Sequence, residues 1–106
     1  DSSRPWLVYW IVHSLDLLEQ DLSAELQARI IGTIAGCQDP GGGFGGGPGQ
    51  LPHVAATYAA VHALAVIGTP EAYSIINREG LKAFLQRMKL PSGAFCMHDD
   101  GEHDLR

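Results

Sequence analysis

Basic residues are scarce in this chain: 7 Lys and Arg stand against 12 Asp and Glu, a formal net charge of −5. A nucleic-acid surface needs clustered cations to displace condensed counterions, so that class of partner is excluded. Cysteine is scarcer still. Cys37 and Cys96 are the only two; they stand far apart, in neither a disulfide framework nor a paired-cysteine zinc motif, and a reducing compartment is the simpler reading. Long apolar runs are missing as well. The longest, residues 6–18 and 54–67, are too short to span a bilayer and carry His and Tyr. No signal peptide or lipidation motif opens the chain, so the expectation is a soluble, cytoplasmic protein. Strand-like alternation of useful length is also absent, which points to an all-α chain.

Glycine is what the chain has in quantity, 13 residues, and much of it falls in one turn. That turn reads Cys37-Gln38-Asp39-Pro40-Gly41-Gly42-Gly43-Phe44-Gly45-Gly46-Gly47-Pro48-Gly49-Gln50. A shorter relative follows later as Met88-Lys89-Leu90-Pro91-Ser92-Gly93-Ala94-Phe95. Phe44 and Phe95 lie 51 positions apart, and the same offset pairs Pro40 with Pro91 and Gly42 with Gly93. It also pairs Ile30 with Leu81, Ile34 with Leu85 and Cys37 with Met88, the apolar stripe of the preceding helix. A repeat of this length, holding two helices and a Gly-Phe turn, indicates stacked helical hairpins. One hairpin cannot bury its apolar face alone, so a longer array is expected, of which this chain is a fragment. Both ends fit that expectation. The first helix opens with almost no cap, and residue 106 falls where the earlier copy of the repeat runs into its next helix.

Pro5 suits the first turn of a helix, and Trp6, Tyr9, Trp10, His13 and Leu17 recur at helical spacing to about residue 18. A second helix starts near Asp21 or Ser23, the latter a possible cap, and carries Leu26, Ile30, Ile31 and Ile34 to Gly36. Residues 39–52 form a long turn, since seven glycines and two prolines from Gly41 to Pro52 hold neither helix nor strand cheaply. A third helix runs from about 55 to 67, closed by Gly68-Thr69-Pro70. It is apolar nearly all round, as a helix packed on both sides should be. A short helix at 70–76 leads to a fourth main helix at 79–89 with Leu81, Phe84, Leu85 and Met88 on one face.

The candidate chemistry divides into five groups. Gly41-x-Gly43-x-x-Gly46 matches a dinucleotide fingerprint in form, but a helix precedes it where that motif needs a strand, so a structural turn is the better reading. Cys96, His98, Asp99, Asp100 and His103 are zinc-competent residue types without the paired spacing of a closed site, and read as a polar loop lining a cavity. Trp6, Tyr9 and Trp10 share a helix face and suit either an aromatic core or the wall of an apolar pocket. His53 sits where the glycine turn meets the third helix. Glu102 and Arg106 have the i,i+4 spacing of an ion pair on a starting helix.

Taken together these residues resemble the β subunits of the protein farnesyltransferase family, zinc enzymes that prenylate C-terminal Cys-a-a-X motifs. The resemblance runs in register over essentially the whole chain. It is carried by Ser3-Arg4-Pro5-Trp6-Leu7-Val8-Tyr9-Trp10-Ile11-Val12-His13-Ser14-Leu15, by residues 42–50 with Pro52-His53, and by Thr57-Tyr58-Ala59-Ala60-Val61 with Ile67-Gly68-Thr69. Ile75-Ile76-Asn77-Arg78-Glu79 and Phe95-Cys96-Met97-His98, followed by Gly101-Glu102-x-Asp104-x-Arg106, complete it. Related prenyltransferases share the repeat but not the Arg-Pro-Trp-x-x-Tyr-Trp opening. The resemblance implies an α–α barrel (toroid) of about six helical hairpins, with about two here, residues 1–106 being part of one barrel domain.

It further implies transfer of a farnesyl group from farnesyl diphosphate to the motif's cysteine, with zinc lowering the pKa of the attacking thiol. Trp6 and Trp10 match the wall that receives the second aliphatic residue. Ser2, Ser3, Trp6, His53, Ala55 and Ala56 match the pocket for the terminal X residue. His53, Glu102 and Arg106 match a trio holding a water against the peptide's carboxylate. The catalytic and metal-ligating residues of the family fall outside this segment, so Zn²⁺ belongs to the full-length enzyme, with Mg²⁺ a further candidate. The implied partners are a prenyltransferase α subunit, farnesyl diphosphate and a Cys-a-a-X protein, and the segment alone should be inactive. Ala56 stands where the family has Pro, and Asp100 where it has Gly. Two other functions remain: a non-catalytic helical-repeat interaction module, and the β subunit of a geranylgeranyltransferase. An Asp-x-Cys pair and a later His in the continuing chain would separate the enzyme from the module.

Overall fold

The computed structural model describes residues 2–104. Five helices carry it: α1 (Arg4–Leu17), α2 (Ala24–Gly36), α3 (Val54–Ile67), α4 (Pro70–Ser74) and α5 (Arg78–Met88). The chain is all-α, as its periodicity predicts, with one addition. Phe95–Cys96 (β1) pairs antiparallel with His103–Asp104 (β2), a two-residue ribbon too short to show as alternation. Among the described residues, no helix is long and apolar enough to cross a membrane.

Local chemistry sets the helix ends. Pro5 occupies the first turn of α1, where its missing N–H leaves no bond unmade. Ser23 caps α2 by accepting the Leu26 N–H at 3.2 Å, Thr69 caps α4 and Asn77 caps α5 in the same way. The α3 helix starts at Val54, one residue before its expected position, because His53 is its cap and takes the Ala55 N–H on Nδ1 at 3.1 Å. Gly68 closes α3 in the left-handed conformation that glycine adopts freely.

The α3 helix is central. It packs along α1, and α2 and α4 also touch it. Trp6 meets Tyr58 and Tyr9 meets His62, so residue numbers rise together and α1 and α3 run parallel. Ile31, Ile34, Cys37, Phe44, Ala60, Leu64 and Ala72 form the core, with Val8, Val61 and Ile75 against its edge. The alanines of α3 let its neighbours approach closely: Ala59, Ala60 and Ala63 are fully buried.

The repeat reappears hydrogen bond by hydrogen bond. Gln38 bridges Phe44 as Lys89 bridges Phe95. Asp39 N–H donates to the Gly43 carbonyl at 2.9 Å, and Leu90 N–H to the Ala94 carbonyl at 2.8 Å. Arg4 N–H donates to the Gly46 carbonyl at 3.0 Å, and Val54 N–H to the Met97 carbonyl at 2.7 Å. The first turn thus attaches to the N-terminal end of α1 and the second to that of α3, and because these helices are parallel both turns sit at the same end of the stack. Phe44 is fully buried, whereas its counterpart Phe95 is half-buried.

Glycine is needed at Gly42 for two reasons. Its φ is +104°, and a Cβ there would stand 2.0 Å from the Gly80 backbone, where the turn presses on the start of α5. Gly49 has φ +71° with open space around it. Asp100, at the equivalent place in the second turn, holds φ 57°, which Asp tolerates better than most side chains. Gly49→Ala should therefore cost about 1 kcal/mol, the conformational term alone. Gly42→Ala should cost at least about twice that, because backbone must also move. Urea unfolding of the full-length protein checks the ranking, and equal losses at the two sites would contradict it.

Candidate functional site

The start of α1, the first glycine turn and the start of α3 meet in one place. Arg4 N–H holds the turn at Gly46, and a Cβ on Gly46 would stand 1.9 Å from the Ser2 carbonyl oxygen, so only glycine permits the approach. Phe44 fixes the other side. Its N–H donates to Thr57 Oγ1 at 2.9 Å, and its carbonyl accepts from His53 N–H at 3.0 Å and from the Thr57 hydroxyl at 3.3 Å. A groove of about 510 Å³ lies between these elements, lined by Ser2, Ser3, Trp6, His53, Ala55 and Ala56, and completed by Gly46, Gln50 and Leu51. All six candidates for the terminal-residue pocket are thus brought together.

Trp10 does not line that groove. It lies beside Trp6, ring centroids 5.6 Å apart, and is 54% exposed. The aromatic face it belongs to is wider than the tryptophans. Tyr9 stacks on His13 and Tyr58 on His62, pairs at i,i+4 on parallel helices, and Tyr9 meets Tyr58 edge to face at 6.0 Å. Burial, with the Tyr58 phenol beside it, raises the Tyr9 hydroxyl above its ordinary value. Within this face Trp10, Tyr58 and His62 are exposed, whereas Trp6, Tyr9 and His13 are half-buried. The i,i+4 Tyr-His spacing on the third helix was a signal in the sequence; without the parallel packing of α1 and α3, nothing joined it to the tryptophans. A second cavity of about 270 Å³ opens beneath Trp6 and Tyr58, with Val54, Met97 and Asp104 around it.

Glu102 reaches the groove's edge from the second turn. Its Oε1 is 3.6 Å from His53 Nε2 and its Oε2 is 3.4 Å from His98 Nε2. The carboxyl is held below its ordinary value. A hydrogen bond from its own backbone N–H is the main cause, and the two imidazoles add to it against a desolvation that works the other way. Arg106, the third member of the expected trio, lies outside the described residues. Cys96, His98, Asp99, Asp100 and His103 do not converge as a metal site would. Among the described residues, no three His, Cys, Asp or Glu side chains lie close enough to hold a metal ion. Asp99 instead pairs with Arg87 of α5 at 3.1 Å. Burial raises the Cys37 thiol, which packs in the core and donates to the Thr33 carbonyl.

Comparison with known proteins shows the family. The family model described as prenyltransferase alpha-alpha toroid domain matches residues 1–106. A protein farnesyltransferase subunit beta from Arabidopsis thaliana is 55% identical over 106 residues, all of this chain and 22% of that protein. One from Pisum sativum is 50% identical over 103 residues, 97% of this chain and 25% of that protein. A geranylgeranyl transferase type-2 subunit beta 1 from Arabidopsis thaliana is 39% identical, but over 54% of this chain and 17% of that protein. The chain spans about a quarter of the length of the farnesyltransferase relatives it matches.

The depressed Glu102 carboxyl gives a signed expectation. A group whose pKa is lowered by folding stabilises the native state above its ordinary value, here 4.5, and loses that contribution as pH falls through the lowered one. Glu102→Gln should therefore lower the urea midpoint of the full-length protein at neutral pH. The gap to the unsubstituted protein should close in acid. A gap that widened steadily below the carboxylate range would reverse the assignment.

Proposed function

Because this chain belongs to the prenyltransferase alpha-alpha toroid family, we propose that it is part of the β subunit of a protein farnesyltransferase. That enzyme moves a farnesyl group from farnesyl diphosphate to the cysteine of a C-terminal Cys-a-a-X motif. Residues 1–106 are one part of a single α–α barrel domain and supply walls that recognise the peptide. The complete enzyme is cytoplasmic, pairs with a prenyltransferase α subunit and takes Zn²⁺ on ligands outside this segment, with Mg²⁺ as a second candidate ion.

The observation that carries the reading is the groove at the start of α1 and α3. Ser2, Ser3, Trp6, His53, Ala55 and Ala56 line it together, and the resemblance assigns these same six to the terminal residue of the peptide. Ala55 and Ala56 leave room for a side chain. His53 has its Nδ1 engaged as the cap of α3, so its neutral ring presents an Nε2 hydrogen toward Glu102. A buried carboxylate needs such donors, and a water between His53 and Glu102 can relay one to it. Arg106, matched by resemblance, brings the compensating charge. The Trp6–Trp10 face lies next to the groove and suits a branched aliphatic residue, worth about 1.5–3 kcal/mol if that side chain is fully buried. The geranylgeranyl relative matches 54% of this chain, whereas the farnesyltransferase subunit from Arabidopsis thaliana matches all of it, which favours the farnesyl reading.

Steady-state farnesylation of a panel of Cys-a-a-X peptides by the full-length heterodimer tests this. Trp10→Ala should relax discrimination at the second aliphatic position, by about tenfold for one side chain's burial. His53→Asn keeps a side-chain acceptor to cap α3 yet should raise KM for every peptide, as should Arg106→Ala. Equal loss of turnover for all peptides in Trp10→Ala, or a mere change of sequence preference in Arg106→Ala, would overturn the assignment.

A further inference from the structure

The Glu102 carboxylate lies between two imidazoles that offer it different things. His53 Nδ1 accepts the Ala55 N–H, so the neutral ring carries its hydrogen on Nε2, facing Glu102 Oε1. His98 is wired the other way. Its Nδ1 lies 2.9 Å from the Asp99 carbonyl oxygen, which can only accept, so that nitrogen holds the hydrogen. Its Nε2, 3.4 Å from Glu102 Oε2, has a hydrogen to give only when the ring is a cation. The two rings sit 5.6 Å apart, so one carboxylate spans both. Gly101 makes the arrangement possible, because a Cβ there would stand 2.7 Å from the His98 ring.

We infer that His98 is a positioning residue for peptide binding: its protonated ring holds the second oxygen of Glu102 and so orients the carboxylate against His53. The inference rests on the reading of His53 and Glu102 as the pair that meets the peptide's carboxylate. The titratable and charged groups facing His98 are Glu102 on its own turn, His53 at the start of α3 and Arg87 of α5. Asp99, Asp100 and His103 complete the loop around it. Arg87 is engaged by Asp99, which leaves Glu102 as the anion within reach of Nε2. Where the His98 ring is a cation both oxygens of Glu102 are held. Where that ring is neutral its contact to Oε2 is lost, and the orientation of the carboxylate loosens. Peptide KM should therefore be lower where the His98 ring is a cation than where it is neutral.

The test is peptide KM and kcat against pH in the full-length farnesyltransferase heterodimer. His98→Ala should raise KM by about threefold to tenfold at the acid end, the scale of one charge-assisted hydrogen bond in a solvated place, with little change in kcat. It should also remove the pH step. His98→Gln places an amide N–H near the Nε2 position at every pH, so it should restore the low KM and flatten the profile. Gly101→Ala, which displaces the ring, should resemble His98→Ala. An unchanged KM and pH step in His98→Ala, or His98→Gln behaving like His98→Ala, overturns the positioning role. Glu102→Gln and His53→Asn separate the two levels of argument. If they raise KM while His98→Ala does not, the inference alone fails; if neither raises it, the carboxylate reading beneath it fails as well.

Discussion

The backbone of Phe44 is the fixed point of the described structure. Its N–H and carbonyl are both satisfied by the first turn of α3, through the Thr57 hydroxyl and the His53 N–H, and its ring is wholly buried. Thr57 is itself buried, so breaking this contact would strand polar groups without water, a penalty of about 1–3 kcal/mol each. A loop of seven glycines would otherwise lose a great deal of conformational freedom for few contacts. Anchoring Phe44 gives the loop its position, and the rest follows. The turn presses Gly42 on Gly80, Gly46 holds α1, and His53 is left at the helix start with one ring nitrogen committed and the other facing Glu102.

Helix content, the 51-residue repeat and the central place of the third helix were legible in the sequence, because 3.6-residue periodicity and the turn residues report them directly. The ends of elements were less so. Asn77 caps α5, and the Gln38 side chain bridges the Ile75 carbonyl and the Asn77 N–H at 2.8 Å each, yet no pattern marks a loop glutamine for that task. Such roles depend on one hydrogen bond to a partner far along the chain. The ribbon at Phe95 and Asp104 was illegible for the same reason: two residues a side carry no period.

The site shows the same division. Which residues line the groove followed from resemblance, and the parallel packing of α1 and α3 supplies the physical reason they are neighbours. What the sequence did not disclose was direction. His53 and His98 look alike in a string of letters, one at a helix start and one in an acidic loop. Only the partners of their Nδ1 atoms, an N–H donor in one case and a carbonyl acceptor in the other, make them opposite in what they can give Glu102. Likewise Trp10 belongs to the aromatic face but stands outside the groove, a distinction that helical spacing cannot draw.

The repeat also explains where chemistry can enter this fold. The two turns share one backbone path, down to the bond from Gln50 N–H to the Gly47 carbonyl and its counterpart from Gly101 N–H to the His98 carbonyl. Their side chains differ over the stretch that approaches the groove. His98 stands where the first turn has Gly47, Asp100 where it has Gly49, Glu102 where it has Leu51 and Asp104 where it has His53. Glycine in the first turn serves contact, since it must pass under α1 and against α5. The second turn keeps glycine at Gly93, with φ +90°, and has one at Gly101, under the His98 ring, where the first turn has Gln50. It places polar side chains at His98 and Asp100, accepting the left-handed backbone of Asp100 to do so. A repeated scaffold can vary only where its own hydrogen bonds do not use the side chain. In these turns those positions fall beside His53, which is why the charged groups gather there.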